Sequence, residues 1–169
     1  MIEGKDPLMP DFSRLTTARD RDLVVFLIGF RVNRLLAIRQ WLPVFLAMPA
    51  MLRELRADPD SGLLGASTWL SGRTALLVQY WDSYDQLEAY ATNSSKKHRP
   101  AWTTFNRRRG RAATAVGVFH ETYLVAPDRM ETIYDAMTPV LLGQAIEAVP
   151  VSHSRTSSRE RIRGPVPET

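Results

Sequence analysis

Two histidines in this chain of 169 residues, His98 and His120, stand among aromatic residues. A free imidazole titrates near about 6.5, which suits it to general-base work at neutral pH. Trp102 and Phe105 follow His98 at +4 and +7. That spacing puts all three roughly on one face of a helix opened by Pro100. A base backed by an apolar wall can take a proton from a weak acid, because excluded water sharpens the interaction. The competing reading of His98 is a helix-start histidine that bonds only backbone or solvent. His120 falls mid-way through the apolar run Val116–Val125, VGVFHETYLV, and reads first as a hydrogen-bonded core histidine. His153 lies in a polar tail and is set aside. Arg31 and Asn33, two residues apart at a strand end, share a face and could orient a substrate oxygen. Trp81, Phe119, Tyr84 and Tyr123 complete the aromatic set, as core residues or as pocket wall.

Other chemistries are not supported. There is no cysteine, so disulfides, thiolate metal sites and a cysteine nucleophile are excluded. No glycine-rich phosphate loop, nucleophile elbow or metal-ligand spacing occurs, so no metal is expected. Net charge is +4, and half of it lies after Val151. The cluster Arg107, Arg108, Arg109 and Arg111 reads as a solvated helix end, with no interleaved aromatics, and no nucleic-acid partner is expected. No apolar run reaches the ~20 residues of a membrane span, and no secretory h-region opens the chain. A cytoplasmic protein without a membrane partner is the expectation.

The elements that must position these groups follow in order. Residues 1–21 read as a flexible arm, 22–150 as one folded domain and 151–169 as a disordered tail. Leu23–Val32, LVVFLIGFRV, is apolar on both faces and reads as a buried strand. Leu35–Leu55 is helical, with Leu35, Ile38, Leu42, Phe45, Met48, Leu52 and Leu55 inward. Pro43 and Pro49 should kink or segment it, and could shape a pocket wall. Leu63–Leu70 and Ala75–Trp81 form a hairpin around Gly72. Ser83 and Gln86 have capping-box spacing for a helix with Tyr84, Leu87, Tyr90 and Ala91 inward. A second helix follows Pro100. Val116–Val125 is the fourth core strand, with Val116, Val118, His120, Thr122 and Leu124 on one face. Met130–Met137 reads as extended and Thr138–Ala148 as the segment it leads into.

This order is βαββαβ, an α+β ferredoxin-like fold with an antiparallel sheet and helices on one face. The first strand is apolar on both sides, so the uncovered face needs a second cover. A homodimer, two sheets face to face in a dimeric α+β barrel, supplies it.

The blocks DLVVFLIGFRVN, WLPVFLAMPAMLREL, DPDSGLLG, VQYWDSYDQLEAYA, HRPAWTTFNRRRG and HETYLVAPDRMETIY resemble the small family named for a fungal monooxygenase of fumagillin biosynthesis. That family is similar in turn to the antibiotic-biosynthesis monooxygenases, which are dimeric α+β barrels. The resemblance spans roughly residues 20–148. His98 follows Trp81 by 17 residues, as in the strand-end Trp and helix-start His of that superfamily. Phe119 stands where the family pattern has tryptophan, and TPVLLG replaces a Met-Pro-aromatic-Gly-like segment. The resemblance implies oxidation of an electron-rich polyketide or aromatic by dioxygen in secondary metabolism, without a cofactor. His98 would be the base, with His120 second. Arg31, Asn33, Trp81, Trp102, Phe105, Phe119 and Tyr123 would contact the hydrophobic substrate. The alternatives are a haem protein of the same barrel, similar to aldoxime dehydratases with His98 or His120 on iron, and a non-redox isomerase, cyclase or binding protein.

Overall fold

The computed structural model describes residues 14–92, 115–152 and 157–162. Its elements are β1 (Leu15–Thr17), β2 (Leu23–Val32), α1 (Ile38–Arg56), β3 (Leu63–Ser71), β4 (Thr74–Trp81), α2 (Tyr84–Thr92), β5 (Val116–Val125), α3 (Leu142–Ala145), β6 (Ala148–Pro150) and α4 (Ser158–Ile162). Leu23–Leu124 forms one compact unit, and the segments before and after it form another.

The larger unit has the expected α+β architecture. Its sheet has four strands in the order β3-β4-β2-β5, with β2/β4 and β3/β4 antiparallel. Together with the chain order β2-α1-β3-β4-α2-β5, this is the ferredoxin-like arrangement. Register pairs Val24 with Trp81 and Phe30 with Ala75. Because side chains alternate, Val24, Phe26, Ile28 and Phe30 share one face with Ala75, Leu77, Gln79 and Trp81. Two buried clusters form there. Val24, Leu55, Trp81 and Leu87 bring sheet, α1 and α2 together; Phe30, Val32, Ala75, Ala115 and Val116 receive Trp41, Val44 and Met48 of α1. Each fully buried Leu or Val side chain here contributes roughly 1.5–3 kcal/mol.

The proline-containing helix is not segmented. It runs unbroken over Ile38–Arg56 through Pro43 and Pro49. Both prolines are exposed, outside the buried stripe of the helix. The inward stripe is Trp41, Val44, Met48, Leu52 and Leu55. Ile38, Leu42 and Phe45, expected inward, lie on the flank of that stripe and are 51%, 37% and 39% exposed. Leu35 precedes the helix and is also exposed.

The two local turn signals hold. Ser71 pairs with Thr74 across a two-residue connection whose Gly72 supplies a positive φ of 55°. Ser83 Oγ donates to Gln86 Oε1 at 3.0 Å, and the Gln86 N–H donates to Ser83 Oγ at 3.3 Å. In α2, Leu87 is buried, whereas Tyr84 and Ala91 point outward. Tyr90 is half-buried and stacks 5.8 Å from Trp81. Burial, and then the charge of Glu54, push its phenol up to about 12.

In the smaller unit, short elements lie within the segments expected to be arm and tail. Leu15–Thr17, placed in a flexible arm, is a strand paired antiparallel with Ala148–Pro150. Leu15 also bridges Tyr134, and the Thr16 hydroxyl donates to the Thr132 carbonyl at 2.8 Å. Segment 130–137, expected to be extended throughout, has one bridging residue, Tyr134, and bends at Ala136 and Met137, with Ala136 at φ 53°; of the segment after it only Leu142–Ala145 is helical. The Gly143 N–H donates to the Tyr134 hydroxyl at 2.7 Å, which fixes that corner. Within the tail, Ser158–Ile162 is helical, and Arg161 Nε meets Glu131 Oε1 at 2.6 Å with both side chains largely shielded. A charge-assisted bond of this kind orders a stretch that composition alone marks as disordered.

Two outcomes follow. Arg161→Ala should lower stability by about 1.5–3 kcal/mol, read from the denaturation midpoint, since it strands a shielded carboxylate. Tyr90 binds its proton more tightly folded than unfolded, so its contribution is complete below about pH 10 and is lost as pH rises toward about 12. Melting temperature should therefore fall less steeply across that window in Tyr90→Phe than in the wild type.

Candidate functional site

A groove of about 390 Å³ opens between α1 and the β3–β4 hairpin. Its floor is Leu52 and Ala75, both buried. Phe45, Met48 and Pro49 form the helix wall, Thr68 and Leu70 the strand wall, and Arg53 and Arg56 close one end. The walls follow from local rules. Phe45, Met48, Pro49, Leu52, Arg53 and Arg56 are spaced by three and four along one side of α1. Thr68 and Leu70 are two apart on β3 and so share its face toward the helix, opposite Leu77 and Ala75 of β4. The expectation that the prolines shape a pocket wall holds for Pro49. Arg56 Nη2 donates to the Ala66 carbonyl at 3.0 Å, which holds that guanidinium against the strand. Among the described residues, the lining carries no imidazole, thiolate or phenol.

The residues singled out from the sequence do not gather in this groove. Trp81 is fully buried, its indole N–H donating to Gln79 Oε1 at 3.0 Å; it is core and not wall. Arg31 is exposed on β2, and Asn33 lies one residue beyond the strand end, its N–H donating to the Ala115 carbonyl at 2.8 Å. His98, Trp102, Phe105 and the helix after Pro100 lie outside the described residues.

His120 corrects the expectation of a core histidine. β5 is an edge strand, and His120 is exposed on it. The alternation was legible: His120 sits on the helix-side face, its ring 6.0 Å from that of Phe26. On the other face, the Phe119 ring lies over Gly29, and the Tyr123 hydroxyl donates to the Glu121 carboxylate. That bond, then the carboxylate's charge, raises the Tyr123 phenol. Among the described residues, no group of three or more His, Cys, Asp or Glu is placed to hold a metal. No helix among them is long and apolar enough to cross a membrane.

Sequence reading passed over the groove. Its signals were faint: Arg53 and Arg56 stand three apart, and no Asp or Glu occurs from Leu23 to Arg53. The strand that faces them comes from elsewhere in the chain.

Comparison with known proteins places this geometry in context. The protein family described as Monooxygenase af470-like matches residues 23–142. Monooxygenase af470 of Aspergillus fumigatus is 28% identical over 150 residues, covering 83% of this chain and 51% of that protein. The chain thus spans about half the length of the curated relative it matches. Among solved structures, an aldoxime dehydratase in complex with butyraldoxime superposes with a TM-score of 0.60 at 16% identity, over 96% of this chain and 46% of that one. SnoaB, a cofactor-independent oxygenase from Streptomyces nogalater, gives a TM-score of 0.41 at 15% identity, over 60% and 91%.

Gly29 joins the two sides of the β2–β5 region in a way that can be measured. A Cβ there would meet the Ala75 carbonyl at 2.4 Å and the Phe119 ring at 2.6 Å. The ring can rotate away but the backbone oxygen cannot. Gly29→Ala should cost about 1–3 kcal/mol in chemical denaturation.

Proposed function

Because this chain belongs to the Monooxygenase af470-like family, we propose that it oxidises a hydrophobic, electron-rich small molecule, a phenol or enol of polyketide or aromatic type, with dioxygen and without a cofactor. The groove beside α1 supports the small-molecule part of this reading; neither candidate base is among its described lining residues. Its walls are mainly apolar, its volume suits a small molecule, and its floor is part of the buried core.

The chemistry needs little from the protein beyond binding and a base. Removing the phenolic proton turns the substrate into a far better electron donor. An electron passes to dioxygen, and the resulting pair combines to a peroxide on a ring carbon. Loss of water then leaves a quinone. One oxygen atom enters the product. The other leaves as water with the two hydrogens taken from the ring carbon and the hydroxyl, so the substrate is the only reductant. We assign the base to His98, on residue type and its spacing to Trp102 and Phe105, and keep His120 as the second candidate. A second copy of the chain, sheet against sheet, would cover the half-buried open face of β2 (Val25 and Leu27) and complete a barrel.

Oxygen uptake with hydroxynaphthalenes and other electron-rich phenols tests the assignment. His98→Ala should lose about 100- to 10,000-fold in turnover. His120→Ala, an exposed substitution, should change stability by no more than about 0.5 kcal/mol. A dead, folded His120→Ala beside an active His98→Ala would reverse the assignment, and full activity in both would remove acid–base catalysis from the mechanism. An intense Soret band in the purified protein would replace this reading with the haem alternative.

A further inference from the structure

We propose that the groove between α1 and the β3–β4 hairpin selects amphipathic carboxylic acids, with the carboxylate held by Arg53 and the apolar body lying along α1. This rests on the reading above only in taking the groove as a small-molecule site; it adds the chemical class of what enters.

The first observation is the distribution of charge. Phe45, Met48, Pro49, Leu52 and Leu70 make the body of the groove apolar, and among the described residues its charged lining is two guanidiniums with no carboxylate. Among the described residues neither Arg53 nor Arg56 is ion-paired. Cations in a last helical turn also offset the helix's negative pole. That role does not require them to line an apolar groove, nor Arg56 to be tied down on the Ala66 carbonyl at 3.0 Å. The tether holds the Arg56 guanidinium against β3 and leaves Arg53 as the cation for an anionic head to meet.

The second observation is the shape of the apolar part. Along α1, Leu42, Phe45 and Leu46 continue the groove's side toward the helix start, and they are 37%, 39% and 60% exposed. On a helix these positions and Pro49 fall on one flank, ahead of Arg53 and Arg56 in sequence. The flank therefore offers an apolar track that ends in cations. An apolar chain with one terminal anion complements it, whereas a neutral hydrocarbon leaves the guanidiniums without partners and an apolar cation meets like charge.

The test is calorimetric titration of the full chain, under nitrogen, with decanoate below its micelle concentration and with decan-1-ol. Decanoate should bind at least tenfold tighter than the alcohol. Arg53→Gln should weaken decanoate about 10- to 100-fold and leave the alcohol unchanged, while Arg53→Lys keeps most of the decanoate affinity. Equal binding of acid and alcohol, or undiminished decanoate binding by a folded Arg53→Gln, overturns the proposal. So does binding only to anionic phospholipid vesicles with no response to monomeric decanoate, which would make the flank a membrane-facing surface. Because no oxygen is present, loss of the oxygenase reading leaves this result standing, and an active oxygenase that ignores decanoate removes this inference alone.

Discussion

The larger unit depends on one buried indole. Trp81 ends β4, a strand paired on both sides, and has no exposed surface. Val24 of β2 lies opposite it in register, while Leu55 of α1, Leu87 of α2 and the Tyr90 ring pack against it. Sheet and both helices therefore meet on a single side chain. An indole has a donor that must be satisfied when buried. Gln79, two residues back on the same face and itself buried, accepts it. The pair fixes the ring's orientation, and the ring then fixes how the end of α1 and the start of α2 approach the sheet.

From that constraint the groove follows. With Leu55 held down beside Trp81, α1 lies with its Phe45–Arg56 side toward the exposed half of β3. The last strand residues before the hairpin turn, Thr68 to Ser71, are open to solvent. A helix anchored at one end and a strand uncovered at its own end leave space between them. The groove is thus a product of where the core stops, and its apolar character is that of core residues carried past the point where the core closes.

Much of this was legible in the sequence. The continuous apolar run of β2, the alternation of β5, the glycine turn and the Ser83–Gln86 box are local patterns, and each marks its element. What the patterns could not carry was coverage. Alternation told which face His120 occupies, but not that it would be exposed there. The heptad-like spacing of Leu35, Ile38, Leu42 and Phe45 matched a buried stripe. The sheet instead engages the neighbouring stripe of Trp41, Val44 and Met48, a choice made by tertiary packing. The β1–β6 pair has three residues in each strand, too few for any period to show. Arg53 and Arg56 look like ordinary helix-end cations until a strand distant in sequence stands across from them.

The two prolines of α1 carry a consequence for motion. A proline has no N–H, so Pro43 and Pro49 leave the carbonyls of Arg39 and Phe45 without their usual partners four residues on. The helix persists, but its ladder has two missing rungs, one on each side of the turn that presents Phe45 and Met48 to the groove. That turn can tilt without breaking another backbone bond, while Leu52 and Leu55 stay pinned in the core below it. The groove's helix wall therefore carries fewer backbone bonds than its strand wall, which its hairpin holds in register. An occupant could be admitted by bending a joint already relaxed, with no need to unfold anything around it.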